Sequence, residues 1–249
     1  MIKNKYQERF YRQWIDRSEF IRTDITVEES DILILSQKPV DLNFLKERVT
    51  SLRNDIKHYI ERDKRFGFSL KPLAVELNAP QVVQIMAKAA ELVNVGPMAA
   101  VAGSIAQLLA QDLLKQGQRE LIIENGGDIF LTRQSKERRI CIFAGDSKLS
   151  GKLILRIKPQ NTPCGICTSS ATFGHSLSFG AADSVVVFSE SAALADAAAT
   201  AVCNLASSSS DFKKAIDFAK KVSGILGVLI VIGDKLASWG EFEFSSHEA

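Results

Sequence analysis

The chain has 249 residues, 46% of them hydrophobic and 24% charged. That apolar share can bury a sizeable core without disulfide staples and excludes the disordered class. With 31 Lys and Arg against 29 Asp and Glu, a net charge of +2 excludes the strongly basic footprint of a general nucleic-acid binder.

The chain opens on charged residues, Met1 to Arg9, with no apolar h-region of the signal-peptide kind. Its longest apolar run, 225–232, falls far short of the roughly 20 residues that span a bilayer. The four cysteines, Cys141, Cys164, Cys167 and Cys203, are too few for a disulfide framework. These features predict a soluble, cytoplasmic protein with reduced thiols and with neither a membrane nor nucleic acid as partner.

Residues 20–27 and 31–35 read as a β-hairpin around a short acidic turn. Asp41 then caps an amphipathic helix whose apolar face is Leu42, Leu45, Val49, Leu52, Ile56 and Ile60. Asn78-Ala79-Pro80 starts a second helix. Gly96-Pro97 breaks it and restarts a third, rich in small residues from Met98 to Gln107, with Gly117 past its end. Small side chains let another backbone approach, either the core or a second subunit, so a homo-oligomer is one expectation.

From Glu120 the period changes. The runs 121–123, 129–131, 140–143 and 153–155 read as consecutive strands, and 158–162 as a polar loop. Residues 184–188 form a further strand. Ser189 is expected to cap an alanine-rich helix over 191–205 that is apolar nearly all round and hence buried. Residues 211–222 read as a helix, and 228–232 and 236–244 as closing strands. Helices and strands in blocks predict an α+β fold, a mainly antiparallel sheet packed against helices. No repeat or linker interrupts the chain, which reads as a single domain over 1–249.

Four segments carry candidate chemistry. Glu124-Asn125-Gly126-Gly127-Asp128 is first a hairpin-turn signal. Its functional alternative is a pair of glycine amides facing an anion, with Asp128 orienting backbone or binding a ribose hydroxyl. Asp196 and Thr200 stand four residues apart, so their oxygens share one helix face. Hard oxygen donors there suit Mg²⁺, and an aspartate inside an apolar helix requires some partner. The stretch 165–176 is dense in hydroxyls and holds His175, one of three histidines. Gly174-His175-Ser176-Leu177-Ser178 lacks the second glycine of a nucleophile elbow. Cys164 and Cys167 have CxxC spacing but no second pair to complete a zinc site.

Together, Gly103-Ser104-Ile105-Ala106, the 124–129 turn, Thr168-Ser169-Ser170 with His175, and Ala195-Asp196-Ala197-Ala198-Ala199-Thr200 resemble the ApbE-like superfamily. Its best-known members are FAD:protein FMN transferases. Arg9-Phe10-Tyr11-Arg12 and Trp239-Gly240 look like a narrower, uncharacterised cytoplasmic branch. The resemblance implies an ApbE-like, T-fold-type architecture and a flavin nucleotide, FAD or FMN, as ligand. It further implies Mg²⁺ on Asp196 and Thr200, with a backbone carbonyl between Ala100 and Ala102 as third ligand. Gly126, Gly127, Asp128, Thr168, Ser169, Ser170 and His175 would line the nucleotide, with His175 and Asp196 as catalytic residues. The implied reaction is phosphoryl transfer, by FAD:protein FMN transfer to an acceptor protein or by FAD pyrophosphate cleavage. A non-catalytic flavin- or nucleotide-binding protein, or a metal-stabilised partner-binding protein, stays open as the alternative. Three positions differ from the transferase pattern. Ala102 stands where they carry lysine, Ser170 follows Thr168-Ser169 in place of glycine, and Ser176-Leu177-Ser178 follows His175 in place of an Ile-Ile-Asp-Pro type segment.

Overall fold

The computed structural model describes residues 19–172, 180–240 and 243–246. Eight strands form one sheet: β1 (Ile21–Val27), β2 (Ser30–Ser36), β3 (Leu121–Asn125), β4 (Asp128–Leu131), β7 (Cys164–Ser169), β8 (Ser184–Ser189), β9 (Ile225–Ile232) and β10 (Lys235–Gly240). They lie side by side in that order, and every neighbouring pair is antiparallel. A smaller antiparallel sheet has the order β11 (Glu243–Ser246), β6 (Leu153–Ile157), β5 (Arg138–Cys141). The α+β architecture read from the sequence is therefore the observed one.

The large sheet is covered on both faces. Helices α1 (Leu42–Arg62), the short α2 (Arg65–Phe68), α3 (Gln81–Val93), α4 (Val101–Lys115), α5 (Ala192–Leu205) and α6 (Phe212–Ala219) occupy one side. The inward faces of α1, α3, α4 and α5 share a core there with Ile32, Ile34, Ile123, Cys167, Val185 and Val187. On the opposite side, Leu131, Cys164, Ile166, Val186, Phe188 and Leu229 meet Ile142, Leu155 and Ile157 beneath the small sheet.

Local chemistry explains the boundaries. Asp41 caps α1 by accepting the amides of Asn43 and Phe44. The apolar stripe buries Leu45, Val49, Leu52 and Ile56 and adds Tyr59, whereas Leu42, at the helix start, is half exposed. Asn94 takes a left-handed conformation that stops α3. The chain then turns through a 3-10 segment, Pro97–Ala100, bending by 105° between α3 and the α4 run.

Four sequence expectations need correction. Residues 164–169, to which the sequence reading assigned no strand, form strand β7 at the centre of the large sheet. Ser189 does not cap α5; its hydroxyl donates to Gly224 O, and Ser191 is the cap. The predicted closing strand over 236–244 is two strands in different sheets, β10 and β11. The sixth helix is shorter than expected, Phe212–Ala219. The small-residue face of α4, open to either core or subunit in the sequence, is buried at Gly103, Ser104, Ile105 and Ala106 and packs against α5. No single helix among the described residues is long and apolar enough to cross a membrane.

Candidate functional site

The site builds up where α4 and α5 cross over the ends of β3, β4 and β7. Gly103 makes this crossing possible. A Cβ there would lie 2.3 Å from Ala192 O and 2.9 Å from Asp196 Cβ, so any larger residue would push the helices apart. The Asp196 carboxylate accepts the Gly103 amide at 2.9 Å, and the Ala102 amide also favours its charged form. α4 has no side-chain cap of its own. Asp196, from a different helix, thus satisfies amides that the first turn of α4 leaves open.

Asp128 stands at the start of β4 and is buried at 6% exposure. Its Oδ1 accepts the Thr168 amide at 3.2 Å, so it orients backbone, one of the two roles read for it from sequence. Burial pushes its pKa well up, and the neighbouring charges of Asp196 and Glu124 push it further. Asp196 is partly exposed, yet desolvation raises its pKa to about 7 against the opposing pull of the Gly103 and Ala102 amides. The Cys167 thiol faces the same acids. Burial and the charges of Asp128 and Asp196 hold it protonated, and it donates to Ala192 O at 3.3 Å. A buried carboxylate, Asp128, whose ionisation is opposed by the charge of the partly exposed Asp196 is the electrostatic signature of this place.

The glycine turn behind Asp128 is a two-residue hairpin loop. Gly126 and Gly127 have φ of +71° and +100°, as a type I′ turn demands. Asn125 and Asp128 form the closing pair. The Gly127 amide donates to Glu124 Oε1 at 2.7 Å, so one of the two amides read as an anion cradle already serves a carboxylate. Gly127 still leaves open space where a Cβ would stand. Asn125 is an addition that the sequence did not disclose: its Nδ2 donates to Ala102 O at 3.2 Å, fixing the carbonyl beside Gly103.

Thr200 lies one helical turn beyond Asp196 and is buried at 9% exposure. Thr168 and Ser169 belong to β7 rather than to a loop, and Ser170 follows directly. Strand alternation puts Ser169 on the same, helix-facing side as Cys167. Its hydroxyl is buried without a hydrogen-bond partner, as is that of Ser104 next to Gly103. His175 lies outside the described residues. The CxxC spacing brings no metal pair together, because Cys164 points into the small-sheet core and Cys167 into the helical one. Among the described residues no three His, Cys, Asp and Glu side chains gather into a cage for a metal. The groups present are hard oxygens instead: Asp196, the Thr200 hydroxyl and the fixed Ala102 carbonyl, together with orphaned buried hydroxyls. This donor set fits a cation such as Mg²⁺ better than a soft one.

A family model described as "AbpE bacteria" matches residues 12–236. The chain belongs to that family. Curated relatives of this AbpE-family chain include a UPF0280 protein of Methanocaldococcus jannaschii, 40% identical over 222 residues, 87% of this chain and 89% of the relative. Another is a UPF0280 protein of Methanospirillum hungatei, 40% identical over 221 residues, 89% of this chain and 88% of the relative. Among solved structures, the flavin transferase ApbE from Vibrio cholerae superposes with a TM-score of 0.59 at 15% identity, covering 92% of this chain and 97% of that one. The apbe protein of Thermotoga maritima superposes with a TM-score of 0.61 at 14% identity, covering 91% and 97%. At such identities the likeness is one of fold, and the ApbE-like architecture expected from the sequence is the one found.

Proposed function

We propose that this chain binds a flavin nucleotide, FAD or FMN, together with a Mg²⁺ ion held by Asp196, Thr200 and the Ala102 carbonyl. The observation that carries this reading is the α4–α5 crossing, where Asp196 and Ala102 are locked side by side through Gly103 and Asn125. The proposed reaction is pyrophosphate cleavage of FAD, with the FMN phosphoryl passing to a hydroxyl of an acceptor protein or to water, and AMP leaving. When bound, the cation supplies charge neutralisation at the pyrophosphate.

The chain's own groups divide the remaining work. Asp128 holds the Thr168 backbone, and so the course of β7 toward Ser169 and Ser170, which are proposed to meet the nucleotide. Gly126 and Gly127 are proposed to leave room for its edge. His175 is proposed as the proton acceptor from the attacking hydroxyl. Asp196 is anchored by α4 amides, so its geometry is set before ligand arrives and little reorganisation is required.

The test is FAD with Mg²⁺, read by chromatography for AMP and FMN. Wild type is expected to release AMP, and Asp196→Asn to lose about 100-fold or more of that rate. FAD that co-purifies or raises the melting temperature with no AMP release would instead select the non-catalytic flavin-binding alternative. That alternative draws on Ala102 standing where the transferases carry lysine. Absence of both binding and turnover would end the flavin reading.

A further inference from the structure

The two helices that carry the proposed cation site cap each other. Asp196 of α5 accepts the Gly103 amide in the first turn of α4. In return, Gln107 of α4 serves the first turn of α5. Its Oε1 accepts the Ala192 amide at 2.9 Å, the Ala193 amide at 3.5 Å and the Ser191 hydroxyl at 2.9 Å. Gly103 and Gln107 are one turn apart on α4, and Ala192 and Asp196 are one turn apart on α5. The two links therefore close a four-cornered frame, with Gly103 packed against Ala192 inside it.

Such a frame fixes more than the distance between helices. A single link would leave α5 free to roll about its axis, which would swing Asp196 and Thr200 together. Two links one turn apart remove that freedom. β7 reinforces the second one: Cys167 donates to Ala192 O, and a Cβ on Gly165 would lie 2.3 Å from Ala192 Cα. The Ser191 cap alone makes a weaker contact, accepting the Leu194 amide at 3.4 Å.

We infer that Gln107 is a positioning residue for the Asp196–Thr200 cation site, acting by holding the start of α5 in one rotational setting against α4. This inference rests on the cation reading above. Gln107 touches neither of the proposed ligand side chains, and its role is to decide where they point.

The experiment titrates metal-free protein with Mn²⁺ alone, followed by the paramagnetic resonance of free Mn²⁺, for wild type, Gln107→Met and Gln107→Glu. Methionine keeps the length and loses the acceptor. Glutamate keeps the acceptor at a helix start that welcomes negative charge. Affinity is expected to fall about 10- to 100-fold in Gln107→Met, the usual scale for a residue that orients a metal ligand. It is expected to stay near wild type in Gln107→Glu. Hydrogen exchange at the Gly103 amide should speed up in Gln107→Met and stay slow in Gln107→Glu, with or without metal.

A general loss of stability is controlled by Asp41→Ala, which removes the α1 cap far from the site and should leave Mn²⁺ affinity unchanged. If Gln107→Met binds Mn²⁺ as wild type does, or if Asp41→Ala weakens binding equally, the positioning role is overturned while the cation site stands. If wild type itself fails to bind Mn²⁺ in the millimolar range, the cation reading falls and the positioning role falls with it.

Discussion

Asp196 illustrates how one side chain can carry both structure and chemistry. It stabilises α4 by accepting amides, yet its pKa is raised from 3.8 to about 7, so burial outweighs those bonds. A raised carboxyl pKa means that the folded protein holds the proton more tightly than the unfolded chain. The stability this confers is complete below about pH 4 and is lost as the pH climbs toward about 7, after which it levels off. Asp196→Asn keeps an oxygen acceptor for Gly103 and cannot titrate. In EDTA, the melting temperature of wild type should therefore fall relative to Asp196→Asn between about pH 4 and 7. Adding Mg²⁺ at pH 8 should raise wild type and leave the variant where it was. A difference between the two proteins that stays constant with pH would refute the assignment.

At the scale of elements, legibility followed the reach of the interactions. The 124–128 turn was readable because both glycines answer to a local demand for positive φ. Asp196 and Thr200 were readable because spacing alone sets a helix face. Strand β7 was not, because it lacks the β-branched alternation that signals a strand. Its small residues answer to α5 lying directly on it at Gly165, a contact that its own sequence cannot reveal. Asn125 and Gln107 escaped for the same reason, since their partners are 23 to 86 residues away. Once β7 is known to be a strand, the two cysteines of its CxxC must face opposite ways. Cys164 is buried with its pKa pushed up to about 12, burial and the nearby Asp128 and Asp196 charges push that of Cys167 well above the usual thiol range, and Cys203 is also buried. Cys141 alone of the four keeps partial exposure. Iodoacetamide at pH 8 is expected to label Cys141 first in the native protein and the others only on unfolding. Early, joint labelling of Cys164 and Cys167 would contradict the strand assignment.

At the scale of the whole molecule, the eight-stranded sheet divides the interior in two. Its helical side holds Asp128 and Asp196, the orphaned Ser104 and Ser169 hydroxyls and the crossing helices, while its other side holds mostly apolar residues under the three-stranded sheet. Neighbouring residues on one strand thus live in different surroundings. Ile166 is 2% exposed on the apolar side, next to Cys167 on the acid side. Ile166→Val should cost about 0.5–1.5 kcal/mol in urea unfolding while leaving the FAD and Mg²⁺ midpoints of the folded protein within about twofold of wild type. A larger shift in those midpoints would mean that the partition leaks. If it holds, robustness and reactivity are separately adjustable in this architecture. Heat tolerance could be raised by repacking beneath the small sheet, with ligand preference retuned on the opposite side, and neither programme of substitutions would need to undo the other.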